Sequence, residues 1–106
     1  MKPIRIHKKV EKELNDLDVF TRSKIMELLA VVAKGGVLVM PVSKPMPSVE
    51  HGVHELRLKA EGRRYRVFYF VKYKDAILVF HSFQKKTQKT PDLEIETGRR
   101  RLGEML

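Results

Sequence analysis

Apolar positions follow two different periods in turn along the chain. Ile4 and Ile6 alternate with polar neighbours, as in a short strand or extended arm. From His7 the period lengthens, and Val10, Leu14 and Leu17 fall at i, i+4 and i+7, one stripe of an amphipathic helix. Asn15, Asp16 and Asp18 interrupt it, and Asp16 or Asp18 can cap a second helix bearing Ile25, Leu28, Leu29 and Val32 on one face. Gly35-Gly36 supplies a left-handed stop after Lys34. The pattern predicts two antiparallel helices sharing one apolar face.

Residues 37–50 connect the halves. Pro41, Pro45 and Pro47 remove three amide donors, which argues against a central strand or a helix here. Val37, Leu38, Val39 and Met40 are expected to lie over the core. The period then drops to two. His54, Leu56, Leu58 and Ala60 alternate with Val53, Glu55, Arg57 and Lys59. After the Glu61-Gly62 turn signal, Tyr65, Val67, Tyr69, Val71 and Tyr73 form one face, with Arg64, Arg66, Phe68 and Phe70 on the other. Lys74-Asp75 is the next turn, and Ala76 to Phe83 is a third strand run. Three strands joined by tight turns predict an antiparallel meander with one face covered by the helices. The middle strand is apolar on both faces and so is expected to be central. Thr90-Pro91 then reads as a helix start, with Thr90 as cap. The helix it opens carries Ile95, Leu102 and Met105 as its sticky stripe, with Arg99, Arg100 and Arg101 late, where they suit the helix dipole.

At 106 residues the chain has the length of one domain, 1–106. Lys and Arg number 22 against 13 Asp and Glu, a net charge of +9 that points to a polyanionic partner. Cys is absent, which excludes a disulfide framework, a thiolate nucleophile and Cys-ligated zinc. No apolar run approaches the roughly 20 residues of a membrane span, and the basic N-terminus is not followed by a signal-peptide core. A cytoplasmic location, with no membrane partner, is the expectation.

The positive charge is uneven. Arg57, Lys59, Arg63, Arg64 and Arg66 fall within ten residues, and Lys85, Lys86 and Lys89 lie in a stretch from Ser82 to Thr90 that has no acid. Adjacent strands of the meander would bring both stretches to one surface suited to phosphates. The bland alternative is a solvated basic rim. Of the interleaved aromatics, most belong to the core, and Tyr65 and Tyr73 are the candidates for stacking on bases. His7, His51, His54 and His81 show no metal-ligand spacing. His54 is expected to face the helices, and His81, beside the basic segment, can transfer a proton.

In order along the chain, HELRLK (His54 to Lys59), GRRYRVFYF (Gly62 to Phe70), ILVFHSFQKKTQKTP (Ile77 to Pro91) and EIETGRRRL (Glu94 to Leu102) resemble the phage Gp49-like/HigB branch of the RelE/ParE toxin superfamily. The resemblance covers roughly Leu28 to Leu102. It implies an α+β fold, a small antiparallel sheet with two N-terminal helices packed on one face and a C-terminal helix. It also implies a toxin of a type II toxin–antitoxin pair that cleaves mRNA on the ribosome, without metal or small-molecule cofactor, by attack of the RNA 2′-hydroxyl on its own phosphodiester. Its partner would be a helix-turn-helix (HigA-like) antitoxin.

Carried over on matching positions, Arg57 and Lys59 are basic strand residues of the site, Arg66 steadies the phosphate, and Lys85 and Lys86 are the basic pair after the third strand. Arg63, Arg64, Tyr65, Gln88 and Lys89 are the expected RNA contacts. Two departures stand out: no tyrosine follows Tyr73, and Glu55 stands where RelE has a lysine. The general base is open between His81, Lys59 and Lys85. A ParE-like inhibitor of DNA gyrase and a non-catalytic nucleic-acid-binding module are the competing readings. The Lys85–Lys89 cluster favours RNA over gyrase.

Overall fold

The computed structural model describes residues 1–72 and 75–106. In chain order the elements are β1 (Ile4–Ile6), α1 (Lys8–Asn15), α2 (Val19–Ala33), β2 (Ser43–Pro45), β3 (Val53–Ala60), β4 (Arg63–Lys72), β5 (Ala76–Lys85) and α3 (Asp92–Met105). The expected meander of β3, β4 and β5 is present, and β4 is the central strand of a five-stranded sheet ordered β1-β5-β4-β3-β2. Two three-residue strands extend it. β1 runs parallel to β5, and β2 runs antiparallel to β3 in the proline-rich connector. Pro45 closes β2, which is tolerable because β2 is an edge strand.

The two faces have separate cores. Val10, Leu14, Ile25, Leu29 and Val32 of α1 and α2 pack on Leu56, Val67, Tyr69, Ile77 and Val79. On the opposite face, Leu102 of α3 packs with Ile95 and Met105 on Phe68, Leu78 and Phe80. The α+β expectation therefore holds, with α1 and α2 on one side and α3 on the other. His54 is on the α1/α2 side, stacked on Tyr69 at 5.5 Å.

Helix ends follow the local chemistry. His7 caps α1, and of the two aspartates proposed for α2 it is Asp18 that accepts from the Thr21 amide at 3.2 Å. Gly35 (φ 94°) ends α2, with the amides of Gly35 and Gly36 reaching back to the carbonyls of Val32 and Val31. The β3–β4 loop is Glu61-Gly62, both at positive φ, the geometry of a two-residue hairpin turn. Tyr73 and Lys74, part of the second predicted turn, lie outside the described residues.

Three expectations are corrected. Val37, Val39 and Met40 do not cover the core: all are exposed, and only Leu38 of that run packs inward. With the connector anchored at Leu38 and at Val42, which also packs against this core, the intervening apolar residues are left on the outside. Thr90 does not cap α3, whose N-cap is Pro91 with no side-chain bond; its hydroxyl is bonded elsewhere. Arg99 and Arg101 are tethers rather than dipole neighbours. Arg99 donates to the carbonyls of Ser48 and Val49, and Arg101 donates to Glu13.

Close docking of α3 depends on Gly98, where an added Cβ would stand 2.8 Å from a ring carbon of the fully buried Phe68. Gly103, in the same helix, faces open space. Gly98→Ala should therefore destabilise the fold by about 1 kcal/mol, overpacking outweighing the gain in helix propensity. Gly103→Ala should stabilise it by about 0.5–1 kcal/mol. Thermal unfolding reads both, at roughly 4–8 °C per kcal/mol for a domain of this size.

Candidate functional site

Residues directly opposite one another on paired strands share a face, so the register assigns the cations to rows. Lys59 of β3 pairs with Arg64 of β4, which pairs with Lys85 of β5. Two residues along, Arg57 pairs with Arg66 and Arg66 with Phe83. The next row is Lys44 of β2, Glu55, Phe68 and His81. All three rows lie on the α3 side. α3 covers the third, setting Gly98 against Phe68 and bonding His81 through Glu94 and Arg101.

A β-bulge makes the alignment possible. Phe68 pairs with His81 but Tyr69 pairs with Val79, so Phe80 is an extra residue in β5. Phe80 and His81 consequently both meet Phe68, with ring centroids 6.0 and 5.7 Å away. The alternation resumes one step out of phase, which directs Ser82 to Glu13 of α1 and aligns Lys85 with Arg64. Strict alternation from Ile77 would have put Lys85 on the other face.

At the centre is Glu55, 1% exposed. Its Oε1 lies 3.5 Å from Arg66 Nε and 3.8 Å from Arg57 Nε, and its Oε2 accepts from Thr90 Oγ at 3.1 Å. Arg66 is buried; its Nη1 donates to the Tyr65 carbonyl at 3.0 Å, while its Nε and that of Arg57 are buried without a hydrogen-bond partner. Both Nε atoms face the Glu55 carboxylate, whose one charge stands against several cations, and the net positive field that remains suits an oxyanion. Burial, and then Arg57 and Arg64, hold the Arg66 pKa below its ordinary value against the pull of Glu55. Lys85 is also buried. Its pKa is lowered first by burial and then by Arg66, Arg57 and Arg64, with Glu55 opposing.

The remaining expected site residues separate into two groups. Lys86, Gln88 and Lys89 are exposed on the loop between β5 and α3, whose end is pinned by Thr90. Arg63 and Tyr65 point the other way, as alternation in β4 requires, and line a cleft of 440 Å³ between the α1–α2 turn and the β3–β4 hairpin. Four carboxylates, Glu13, Asp16, Asp18 and Glu61, line that cleft, a poor setting for a phosphate chain. The structure does not bring Arg63 or Tyr65 to the basic rows.

His81 is likewise apart from the two cationic rows. Arg101 Nη1 donates to its Nδ1 at 3.0 Å, so Nε2 carries the proton donated to Glu94 at 2.8 Å. Both ring nitrogens are engaged, and burial, with Arg101 adjacent, keeps the imidazole below its usual pKa against the pull of Glu94 and Glu13. Its place is structural, in a Glu94–His81–Arg101–Glu13 chain joining α3 to β5 and α1. Lys44 and Thr90 were missed in the sequence. Lys44 lies in the proline-rich connector, and only its pairing with Glu55 reveals it. Among the described residues no cluster of His, Asp or Glu could hold a metal ion, and no helix is long and apolar enough to cross a membrane.

Residues 12–103 match the family model described as Phage derived protein Gp49-like (DUF891), a span that includes every strand of the basic rows. No curated protein matches the chain.

A lysine held below its ordinary pKa opposes folding while charged. Lys85→Met should therefore raise the unfolding midpoint at neutral pH. As pH climbs through the lowered folded-state pKa, the native protein sheds this proton before the unfolded chain does, and wild type gains stability. The advantage of the variant should accordingly narrow on the alkaline side. Denaturant titrations at a series of pH values check this, and a gap independent of pH would contradict it.

Proposed function

Because the chain belongs to the phage-derived Gp49-like family, a toxin-like family in the RelE/HigB superfamily context, we propose that its basic face is an endoribonuclease site acting on mRNA at the ribosome, as the toxin of a toxin–antitoxin pair. The observation that carries this reading is the convergence of Arg57, Lys59, Arg64, Arg66 and Lys85 from three adjacent strands, with Glu55 the carboxylate set against them. Like charges directly opposite one another destabilise a sheet, so the arrangement favours an anionic occupant over a merely soluble rim.

In the proposed reaction the 2′-oxygen attacks the adjacent phosphorus and the 5′-oxygen leaves. A base takes the 2′-proton, an acid supplies one to the 5′-oxygen, and the products are a 2′,3′-cyclic phosphate and a 5′-hydroxyl. In this reading Arg66 and Arg57 neutralise the charge that grows on the non-bridging oxygens. Of the three candidate bases, Lys85 fits best. It lies within the rows, and its surroundings favour loss of a proton. Lys59 is an exposed contact in the same row, and His81 has no free nitrogen. Lys86, Gln88 and Lys89 extend the phosphate path along the loop.

The proposed antitoxin, a helix-turn-helix protein, has an apolar landing on α2, where Val19, Phe20 and Val31 are exposed. Occupancy there would bar access to the ribosome without filling the basic face.

Expression of the chain in bacteria, with mapping of mRNA ends, should show cuts within translated messages. Arg66→Ala should lower cleavage about 100-fold, the usual cost of removing a preorganised charge-stabilising donor. Affinity for a single-stranded RNA should fall with salt at a log–log slope near −3, for about four phosphate contacts. Intact messages together with relaxed plasmid DNA would instead indicate gyrase inhibition.

A further inference from the structure

Thr90 has the sequence context of a helix cap but does not serve as one. Its side chain is buried and donates to Glu55 Oε2 at 3.1 Å, across 35 residues of chain. The other oxygen of the same carboxylate faces Arg66 and Arg57 at 3.5 and 3.8 Å. One buried glutamate therefore touches both parts of the basic surface: the arginine pair on β3 and β4, and the end of the loop that carries Lys86, Gln88 and Lys89.

We propose that Glu55 and Thr90 are positioning residues, a tether that sets the lysine loop in register with the arginine pair. The inference rests on reading the basic face as an RNA-phosphate site. Neither residue reaches the surface, so neither is assigned contact with RNA. Glu55 orients without consuming: at these distances it holds Arg57 and Arg66 by charge, and their Nε donors remain unbonded. Thr90 supplies what charge does not, a directional bond fixing where the loop ends and α3 begins. Residues 86–89 are exposed, and within the loop the side-chain bond is from Thr87 Oγ to the Lys89 carbonyl at 2.6 Å. Without the Thr90 anchor the loop lysines would keep their charge but lose their place.

A double-mutant cycle separates placement from charge and from general stability. Affinity for a non-cleavable 2′-O-methyl oligoribonucleotide is measured for the parent, Lys86→Ala, Thr90→Val and the double variant, with Thr90→Ala as a second truncation should Thr90→Val not fold. Lys86→Ala should weaken binding about fivefold in the parent but less than about twofold once Thr90 is truncated, a coupling typical of residues in one network. Thr90→Ser, which keeps the hydroxyl, should restore the full effect of Lys86. Glu55→Gln should keep the coupling through its amide oxygen while weakening binding overall. Equal Lys86 effects with and without the Thr90 hydroxyl would overturn the tether and leave the proposed function standing. A parent that binds the oligonucleotide but cuts no message would overturn the reaction alone. A parent that does not bind it would overturn both.

Discussion

A strand presents alternate residues to opposite faces, and one inserted residue reverses every later assignment. Phe80 is that residue in β5. Before it, Ile77 and Val79 serve the α1/α2 core and Leu78 serves the α3 core. After it, Ser82 bonds Glu13 of α1, while Phe83 and Lys85 join the side of Arg66 and Arg64. The bulge lets a strand that is apolar on both faces in its first half deliver a cation to a chosen face in its second. Lys85 stands beside the arginines for that reason, and so does His81 beneath α3.

Gathering these charges has a cost that the rest of the molecule absorbs. A buried lysine and a buried arginine among further cations are unfavourable by desolvation and by mutual repulsion, as the lowered pKa of each records. Glu55 offsets part of this from the α3 side of β3. The stability itself is drawn from elsewhere: an aliphatic core under α1 and α2, and an aromatic one under α3. Spatial division keeps the two demands from competing, because the cationic rows occupy one end of the sheet and the apolar rows the other. Loss of a core methyl group would weaken the fold without moving the site, whereas loss of Glu55 would strike both.

Much of this was legible in the residues. The two helices, the three-strand meander, the central position of β4 and the Glu61-Gly62 turn all follow from apolar periods and glycine placement, which are local properties. The grouping of Arg57, Lys59, Arg64 and Arg66 was legible for the same reason, since period two fixes which face each takes. What was hidden depends on partners distant in sequence. Thr90 has the local features of a cap, yet its side chain is turned toward Glu55, to which its hydroxyl donates. Arg63 and Tyr65 sit within the basic run but face the opposite cleft, which a reading by proximity in sequence overlooks. His81 looked free because its bonds come from α3, 13 and 20 residues onward. Lys44 shows itself only once β2 is known to pair with β3.

The position of α3 finally decides which part of the sheet is open. Apolar contacts alone would let a helix slide along a sheet, because they are nearly indifferent to small shifts. Hydrogen bonds are not. Arg101 grips Glu13 with two bonds of 3.1 and 3.2 Å and meets His81 at 3.0 Å, Glu94 holds the other side of the same imidazole, and Glu104 bonds His7 at 2.7 Å. Each contact has one good geometry, and together they allow one register. Gly98 then brings the helix close over Phe68, so that α3 covers the row of Glu55, Phe68 and His81, while in the two cationic rows beyond it Lys59 is exposed and Arg57 and Arg64 are half-buried. The histidine considered for proton transfer is instead engaged by α3 through both ring nitrogens. By helping to fix where the helix lies, His81 helps decide which part of the sheet α3 covers.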